Sequence, residues 1–378
     1  MVTGAQLEHG RLSVSVSRMS SELEAAFARA GELARRSPAR VERRIEAILA
    51  QGVPTFMECP RVELEDGLEG YDAVVLGLPF ESVIVKDPRT FYPQGTAPPP
   101  GEDLYARQGS YDAPAAIRRA SMYFSLDHSN GFMPEKGLRI GDRIRLGDAG
   151  DLPIRQLPPE RAAQIGAAAV ERIVRAGALP LVIGGDHLIA YFVLAGIHSA
   201  TGAKIGVIAY DAHLDLSWEP RYWAGSQWAR AMELGALDPR NLVQIGVRGL
   251  RNSVFWQHAA EELGVRYFTM ADVDRLGLQE VNRQALERAR GGADLLYLSV
   301  DVDAFEPTVL PAQKYPEPAG FTAREIVRSI EQVMSAGDGI CGFDFNELGA
   351  PYDLDHYGAA LAARCLVEVL GGLAARRG

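Results

Sequence analysis

The sequence predicts an α/β fold with three α-β-α layers, in which helices cover both faces of a mostly parallel β-sheet. Short apolar runs alternate along the chain with amphipathic stretches of ten or more residues, as strands and helices do when they follow one another. The runs are apolar throughout rather than at every second position, which indicates strands that are buried on both sides.

Six apolar runs are the expected strands of this sheet. They are residues 73–78, 179–183, 204–210, 242–247, 295–300 and 340–343. The helical spacing of apolar residues between them predicts helices at residues 160–176, 278–290 and 322–336. Ligands bind beyond the carboxyl ends of the strands in such sheets, so a site is expected at that edge.

Residues 1–66 are expected to form an N-terminal helical extension, followed by the main domain at residues 67–378. Within the extension, residues 21–51 have a helical pattern. Its apolar residues, among them Leu23 and Phe27, predict contact with another subunit because they need a partner surface.

The composition excludes several classes of protein. The 378 residues carry a formal net charge of -10, which argues against a nucleic-acid or anionic-membrane partner. No stretch is expected to reach the roughly 20 apolar residues of a spanning helix, and no secretory signal is expected in residues 1–20. Cys59, Cys341 and Cys365 lack close pairing or metal-ligand spacing, so a reduced, cytoplasmic protein is expected.

Three of the expected strands end in clusters of Asp and His. The clusters are Gly184-Gly185-Asp186-His187, Asp211-Ala212-His213-Leu214-Asp215 and Ser299-Val300-Asp301-Val302-Asp303. Residues two apart in an extended segment point the same way, so the acidic and imidazole groups within each cluster can converge. A single cluster is typical of a helix cap or a turn. Three clusters that each follow an apolar strand instead predict one shared site.

The combined clusters predict a dinuclear metal site. Four carboxylates and two imidazoles bring too much like charge together to be buried without cations. Mixed carboxylate and imidazole ligands suit Mn²⁺, Ni²⁺ or Zn²⁺. Six ligands exceed what one such ion usually takes, whereas two ions roughly 3.5–4 Å apart would use them all.

These residues resemble the motifs of the ureohydrolases (arginase, agmatinase, guanidinobutyrase and relatives), which hydrolyse guanidino groups at a dinuclear metal centre. The three clusters correspond to the family motifs GGDH, DAHxD and SxDxDxxDP. Residues 342–347, Gly-Phe-Asp-Phe-Asn-Glu, match the segment in which the family has a glutamate that grips the guanidinium. The resemblance runs from about residue 71 to the C-terminus and implies the arginase-like form of the three-layer fold.

The resemblance also implies a role for each site residue. Asp211 and Asp301 would bridge two Ni²⁺ or Mn²⁺ ions, with His187 and Asp215 completing one metal site and His213 and Asp303 the other. Glu347 would hold the guanidinium, and Asp303 would shuttle protons. Water made nucleophilic by the two cations would attack the guanidinium carbon, giving urea plus ammonia or an amine.

The sequence departs from the family pattern at several positions. Ala224 stands where most members have the histidine of a His-Gly pair, and Glu306 stands where the third motif has aspartate. The glycine-threonine loop before Pro-Glu-Pro is replaced by residues 312–315, Ala-Gln-Lys-Tyr. With these departures and the N-terminal extension, the sequence resembles the nickel-dependent branch of the family that includes guanidine hydrolase and metformin hydrolase.

Aromatic residues are the candidate substrate contacts. Trp218, Trp223 and Trp228 crowd the segment after the second cluster, where they would bind a small or alkylated cation by cation–π contact or else pack the loops. Phe91 and Tyr92, in an expected proline-rich loop at residues 86–109, would close the same site.

The sequence therefore predicts an amidinohydrolase of a small guanidine compound, namely guanidine or an alkylated guanidine or biguanide such as metformin. The alternatives are an agmatinase or guanidinobutyrase, a non-catalytic subunit that pairs with an active homologue, and a one-metal zinc deacetylase of related fold. Six ligands and Glu347 argue against the last two. The family resemblance implies a homo-trimer or homo-hexamer, or a hetero-oligomer with a homologous subunit.

Overall fold

The computed structural model describes residues 5–8, 11–14, 25, 29, 52–65, 67–82, 109–124, 126 and 130–377. The chain divides into two compact units, Met1–Gly52 and Val53–Gly378. In the first unit, strands β1 (Ala5–Glu8) and β2 (Arg11–Val14) form an antiparallel hairpin that the sequence did not predict. Ala25 and Arg29 are helical. The rest of the predicted helices at 21–51, and the predicted loop up to residue 108 with Phe91 and Tyr92, lie outside the described residues.

The larger unit begins at Val53, ahead of the expected boundary at residue 66. Phe56 and Met57 are buried in its core, and the Phe56 N–H donates to Asp148 Oδ2 at 2.7 Å. Because these residues pack against the sheet, the segment after Gly52 belongs with the catalytic unit rather than with the N-terminal extension.

Eight strands form one sheet in the larger unit, beside a small antiparallel pair, β4 (Phe132–Met133) and β5 (Leu138–Arg139). The sheet strands are β3 (Ala73–Leu78), β6 (Leu146–Asp151), β7 (Leu179–Gly184), β8 (Ile205–Tyr210), β9 (Leu242–Val247), β10 (Arg266–Thr269), β11 (Leu295–Asp301) and β12 (Gly342–Asn346). Their spatial order is β10-β9-β8-β11-β12-β7-β3-β6, and neighbouring strands run parallel.

Helices cover both faces of the sheet. They are α1 (Ala113–Ser121), α2 (Pro159–Arg175), α3 (Ile189–Thr201), α4 (Gln227–Glu233), α5 (Val254–Leu263), α6 (Met270–Leu276), α7 (Leu278–Arg290), α8 (Ala323–Ser335) and α9 (Tyr357–Arg376). Residues of α2 to α5 belong to one apolar core, and residues of α1 and α6 to α9 belong to the other. Along β3, Val75 packs into the second core and Val74 and Leu76 into the first. The predicted three-layer α-β-α fold is confirmed.

The predicted strands and helices agree with the observed ones to within a few residues, but strands β6 and β10 were not predicted. Strand β6 was missed because Asp148 and Asp151 interrupt its apolar pattern; Arg118 pairs with both carboxylates, so β6 can still lie in the sheet. Strand β12 extends past its predicted end because Asp344 is buried within it and accepts hydrogen bonds from Tyr297 Oη and Ser299 Oγ of β11.

Helix α9 corrects one expectation about composition. The helical stretch Leu354–Arg376 is long and apolar enough to cross a membrane by length and composition, although none was expected. Of its most apolar window, 72% is buried inside the fold, where α9 packs against α1 and α8. The length and apolar character of α9 are those of a core helix.

Candidate active site

Four adjacent central strands, β8, β11, β12 and β7, deliver the predicted site residues to one edge of the sheet. Each cluster lies at the carboxyl end of its strand, as expected. Gly184 and Gly185 are needed at the end of β7, where both have positive φ. A Cβ on Gly185 would lie 2.5 Å from the Phe80 carbonyl oxygen, so a larger residue would push His187 away from the other clusters.

His187 is the centre of the first ligand group. Its Nδ1 lies 3.1 Å from Asp211 Oδ2, 3.2 Å from Asp215 Oδ2 and 3.1 Å from Asp301 Oδ2. Three carboxylate oxygens therefore face one imidazole nitrogen in a buried space. The predicted convergence of these four residues is what the structure shows.

Ser299 fixes which nitrogen of His187 is free. The Ser299 hydroxyl donates to Asp344 Oδ1 at 3.1 Å, so its oxygen accepts a hydrogen bond from the N–H at His187 Nε2, which lies 3.1 Å away. With this proton on Nε2, Nδ1 faces the carboxylates and would be the nitrogen available to a metal ion held among them. This hydrogen-bond pattern orients metal-binding histidines in general.

His213 and Asp303 form the second group with Asp211. His213 Nδ1 lies 2.9 Å from Asp303 Oδ2 and 3.7 Å from Asp211 Oδ1. Main-chain donors hold the carboxylates, since the Ala212 N–H donates to Asp303 Oδ1 at 3.0 Å and the His213 N–H donates to Asp211 Oδ1 at 2.6 Å. Asp211 thus belongs to both groups, the arrangement expected of a bridging ligand.

The electrostatics of the two groups fit a pair of divalent cations. Burial raises the pKa of Asp211 to about 7, with Asp215 and Asp303 adding to the rise, and burial with Asp303 and Asp211 raises the pKa of Asp301 well above its usual value. His187 Nδ1 and Asp211 Oδ2 are buried without a hydrogen-bond partner among the described residues. Metal ions would bind these unpartnered nitrogen and oxygen atoms and would offset the negative charge of the crowded carboxylates.

Two site residues have a strained backbone. Asp215 has φ 47° and Glu347 has φ 61°, both in the left-handed region that favours glycine. Such a conformation costs about 1–3 kcal/mol for a residue with a side chain and persists where the surroundings enforce it. The strain aims the Asp215 carboxylate at His187, where Gln227 Nε2 supports it with a hydrogen bond of 2.7 Å.

Glu347 follows β12 and, together with residues of the ligand groups, lines a cavity of about 70 Å³. Its Oε1 accepts the His187 N–H at 2.9 Å, so it contacts the main chain of a ligand residue but not the imidazole. Burial raises the pKa of Glu347 to about 8, while the nearby Lys314 ammonium opposes that rise. A cation bound in the cavity would favour the carboxylate form further.

The cavity is lined by residues from several loops and by the ligand groups. They are His213, Asp215, Trp223, Ala224, Arg251, Trp256, Asp301, Asp303, Tyr315 and Glu347. Ala224, which replaces the family histidine, therefore faces the same space as Glu347.

The predicted wall of three tryptophans is corrected by the structure. Trp223 lines the cavity, but Trp218 is 47% exposed and lies outside the described lining. Trp228 is fully buried on α4 and packs its ring edge-on against His187, with ring centroids 5.2 Å apart. Trp228 therefore packs behind His187 and does not line the cavity, because it lies on α4, the helix that follows the loop carrying Trp223.

Sequence reasoning missed three cavity residues. Trp256, on α5, packs beside Trp223 with ring centroids 6.4 Å apart. Tyr315 stacks under Arg251, whose guanidinium carbon lies 4.1 Å from the ring centroid. Tyr315 belongs to the altered loop before Pro-Glu-Pro, and that departure was the available signal. Nothing near Trp256 or Arg251 in the sequence marks them.

The sequence and the structure were both compared with known proteins, and each comparison finds relatives along most of the chain. Residues 97–371 match the model of the arginase family. The human mitochondrial guanidino acid hydrolase is 30% identical over 85% of this chain and 83% of its own length, and the guanidinopropionase of Pseudomonas aeruginosa is 29% identical over 84% and 91%. The solved proclavaminate amidinohydrolase of Streptomyces clavuligerus has a TM-score of 0.70 and 27% identity, covering 85% of this chain and 97% of its own.

Proposed function

The chain belongs to the arginase family and is a hydrolase of guanidino compounds, and from this premise we propose that its substrate is a small guanidine compound. The candidates are guanidine itself and an alkylated guanidine or biguanide such as metformin. The products would be urea or the corresponding urea derivative, with ammonia or an amine. The observation that carries the proposal is the small cavity in which Glu347 faces the aromatic pair Trp223 and Trp256 beside the ligand groups.

Members of this family bind a dinuclear divalent metal centre, and the ligand groups of this chain fit one. We propose that His187, Asp211 and Asp215 hold one ion, that Asp211, His213 and Asp303 hold the other, and that Asp301 joins Asp211 as a bridge. Ni²⁺ and Mn²⁺ both suit these donors. When bound, the ions supply the Lewis acidity that makes water nucleophilic near neutral pH.

The protein residues supply binding and proton transfer. Glu347 would pair with the guanidinium and fix its carbon against the ligand groups, which removes much of the entropic barrier to attack. Burial alone would raise the pKa of Asp303, but His213 outweighs that effect and lowers it to about 2. Asp303 is thus a carboxylate at neutral pH, and it would relay a proton from the attacking water to the departing nitrogen without retaining it.

The size of the cavity favours a small substrate. Pockets for drug-sized ligands usually measure ~300–1,000 Å³, several times the volume of about 70 Å³ found here. Ala224 leaves an apolar surface at the position of the family histidine. Trp223 and Trp256 line the cavity, and a contact between an aromatic ring and a delocalised cation contributes about 0.5–2 kcal/mol.

A specific observation favours an ω-guanidino acid as the second candidate. Arg251 lines the cavity, and no carboxylate partner for it is found within the described ranges. A substrate with its guanidino group on Glu347 would be able to extend a carboxylate toward this arginine. The human relative is named a guanidino acid hydrolase and the bacterial one a guanidinopropionase, and both names describe substrates with a carboxylate.

A substrate panel tests the proposal. We expect protein loaded separately with Ni²⁺ or Mn²⁺ to release urea products from guanidine or metformin, with kcat/KM at least roughly tenfold above that for agmatine, arginine and 4-guanidinobutyrate. Preference for 4-guanidinobutyrate or 3-guanidinopropionate, lost in Arg251→Met, would replace the first candidate by the second. Agmatine as the best substrate would contradict both.

Trp223→Ala is expected to raise KM for a small guanidine substrate by roughly 2- to 30-fold, with little change in kcat, because it removes a cation–π contact worth about 0.5–2 kcal/mol. Trp218→Ala is the matched control, since Trp218 is exposed and outside the described cavity lining. Steady-state kinetics and melting temperature distinguish the roles. A fall in melting temperature with unchanged KM would make Trp223 a packing residue.

A further inference from the structure

A buried lysine lies directly behind the proposed guanidinium site. Lys314 is fully buried, and its Nζ lies 3.2 Å from Glu81 Oε1, 3.4 Å from Glu347 Oε2 and 4.0 Å from Asp186 Oδ2. It lies in the loop at residues 312–315, Ala-Gln-Lys-Tyr, which precedes Pro-Glu-Pro. The metal ligands do not include any of its three partners.

Charge explains why these four side chains occur together. Three carboxylates around one buried point would repel one another strongly, and a lone buried ammonium would be equally unfavourable. Burial lowers the pKa of Lys314, but Glu347, Glu81 and Asp186 outweigh it and hold the pKa well above the usual value. Lys314 therefore stays a cation and supplies the counter-charge for all three groups.

The two rear partners of Lys314 connect it to the walls of the site. Glu81 Oε2 accepts the Gly109 N–H at 3.0 Å, and Asp186 Oδ2 accepts the Ser82 N–H at 2.6 Å. The Ser82 hydroxyl oxygen in turn accepts the N–H of Ala224 at 2.9 Å. The ammonium group is thus tied to the loop that carries Trp223 and Ala224 as well as to Glu347.

We propose that Lys314 is a positioning residue that holds the Glu347 carboxylate toward the cavity and thereby sets how tightly a guanidinium group binds. Glu347 has two anchors: the His187 N–H at Oε1 and the Lys314 ammonium at Oε2. Removal of the ammonium takes away the anchor of Oε2 and leaves it near the carboxylates of Glu81 and Asp186, so Glu347 would turn away from its position at the cavity. The inference rests on the proposed function, because it assumes that Glu347 receives the guanidinium.

Lys314→Met tests this, because methionine keeps the length of the side chain and removes its charge. We expect KM for the substrate and the apparent dissociation constant of guanidinium chloride, measured by its competition with a second guanidine substrate on metal-loaded protein, to rise roughly 10²-fold. Metal content should stay at the wild-type level. Lys136→Met is the matched control: Lys136 also pairs with two carboxylates, Glu331 and Glu368, but lies outside the described cavity lining.

A second variant separates positioning from charge balance. Lys314→Met combined with Glu81→Gln removes one negative charge together with the positive one, so stability should recover while weak guanidinium binding persists. Recovery of both stability and guanidinium binding in the double variant would make Lys314 a structural counter-charge and overturn the proposal. Unchanged or tighter guanidinium binding in folded Lys314→Met would also overturn it. Absence of guanidinium binding by the wild-type protein would instead refute the proposed function, and the role given to Lys314 with it.

Discussion

Asp211→Asn is expected to remove both metal ions and to lower kcat/KM by on the order of 10³-fold or more. Asp211 belongs to both ligand groups, with Oδ2 3.1 Å from His187 Nδ1 and Oδ1 3.7 Å from His213 Nδ1. Loss of its charge weakens the hold on two divalent ions at once. An effect of several kcal/mol on the transition state corresponds to this factor, since about 1.36 kcal/mol is tenfold.

Metal content per chain after dialysis, together with kcat/KM, checks the expectation. Asp301→Asn should act in the same way, because Asp301 Oδ2 also lies 3.1 Å from His187 Nδ1. Asp272→Asn is the control: Asp272 closes the capping box of α6, so its loss should lower stability by about 1 kcal/mol and leave metal content unchanged. Two retained ions with normal turnover in Asp211→Asn would refute the ligand assignment.

The central sheet was predictable from the sequence because most of its strands are apolar along their whole length. Residues 73–78 and 242–247 were predicted with the bounds that β3 and β9 have. Strand β6 was not predicted, because its buried Asp148 is neutralised by the guanidinium of Arg118, which lies on α1. The sequence pattern within a strand carries no information about a counter-charge that a side chain of another helix or strand supplies.

The ligand groups were predictable for a related reason. His213 and Asp215 follow Asp211 at spacings of two just after a strand, so the pattern marks all three as one group, although Asp215 reaches His187 with a positive φ and not in an extended conformation. The cavity was predicted less well. Trp256 comes from a helix distant in the sequence, and Lys314 is of a residue type that is almost never fully buried. Residues brought together by tertiary packing alone leave no periodic signal.

Glu347→Gln is expected to raise KM for the guanidino substrate roughly 30-fold or more while both metal ions stay bound. Truncation of one partner of a buried, hydrogen-bonded ion pair typically costs about 2–5 kcal/mol, and this substitution removes the negative charge that would face the guanidinium. Metal binding should survive because Glu347 contacts the main-chain N–H of His187 and not its imidazole. Steady-state kinetics and metal analysis of the same preparation measure both effects.

Glu81→Gln is the control that isolates the substrate contact. It takes one negative charge from the same Lys314 ammonium, but Glu81 lies behind that group and outside the described lining of the cavity. If Glu347 binds the guanidinium directly, Glu347→Gln must raise KM far more than Glu81→Gln does. Equal effects would mean that charge around Lys314 matters and that Glu347 is no closer to the substrate than Glu81. A loss of metal in Glu347→Gln would instead assign Glu347 to the support of His187.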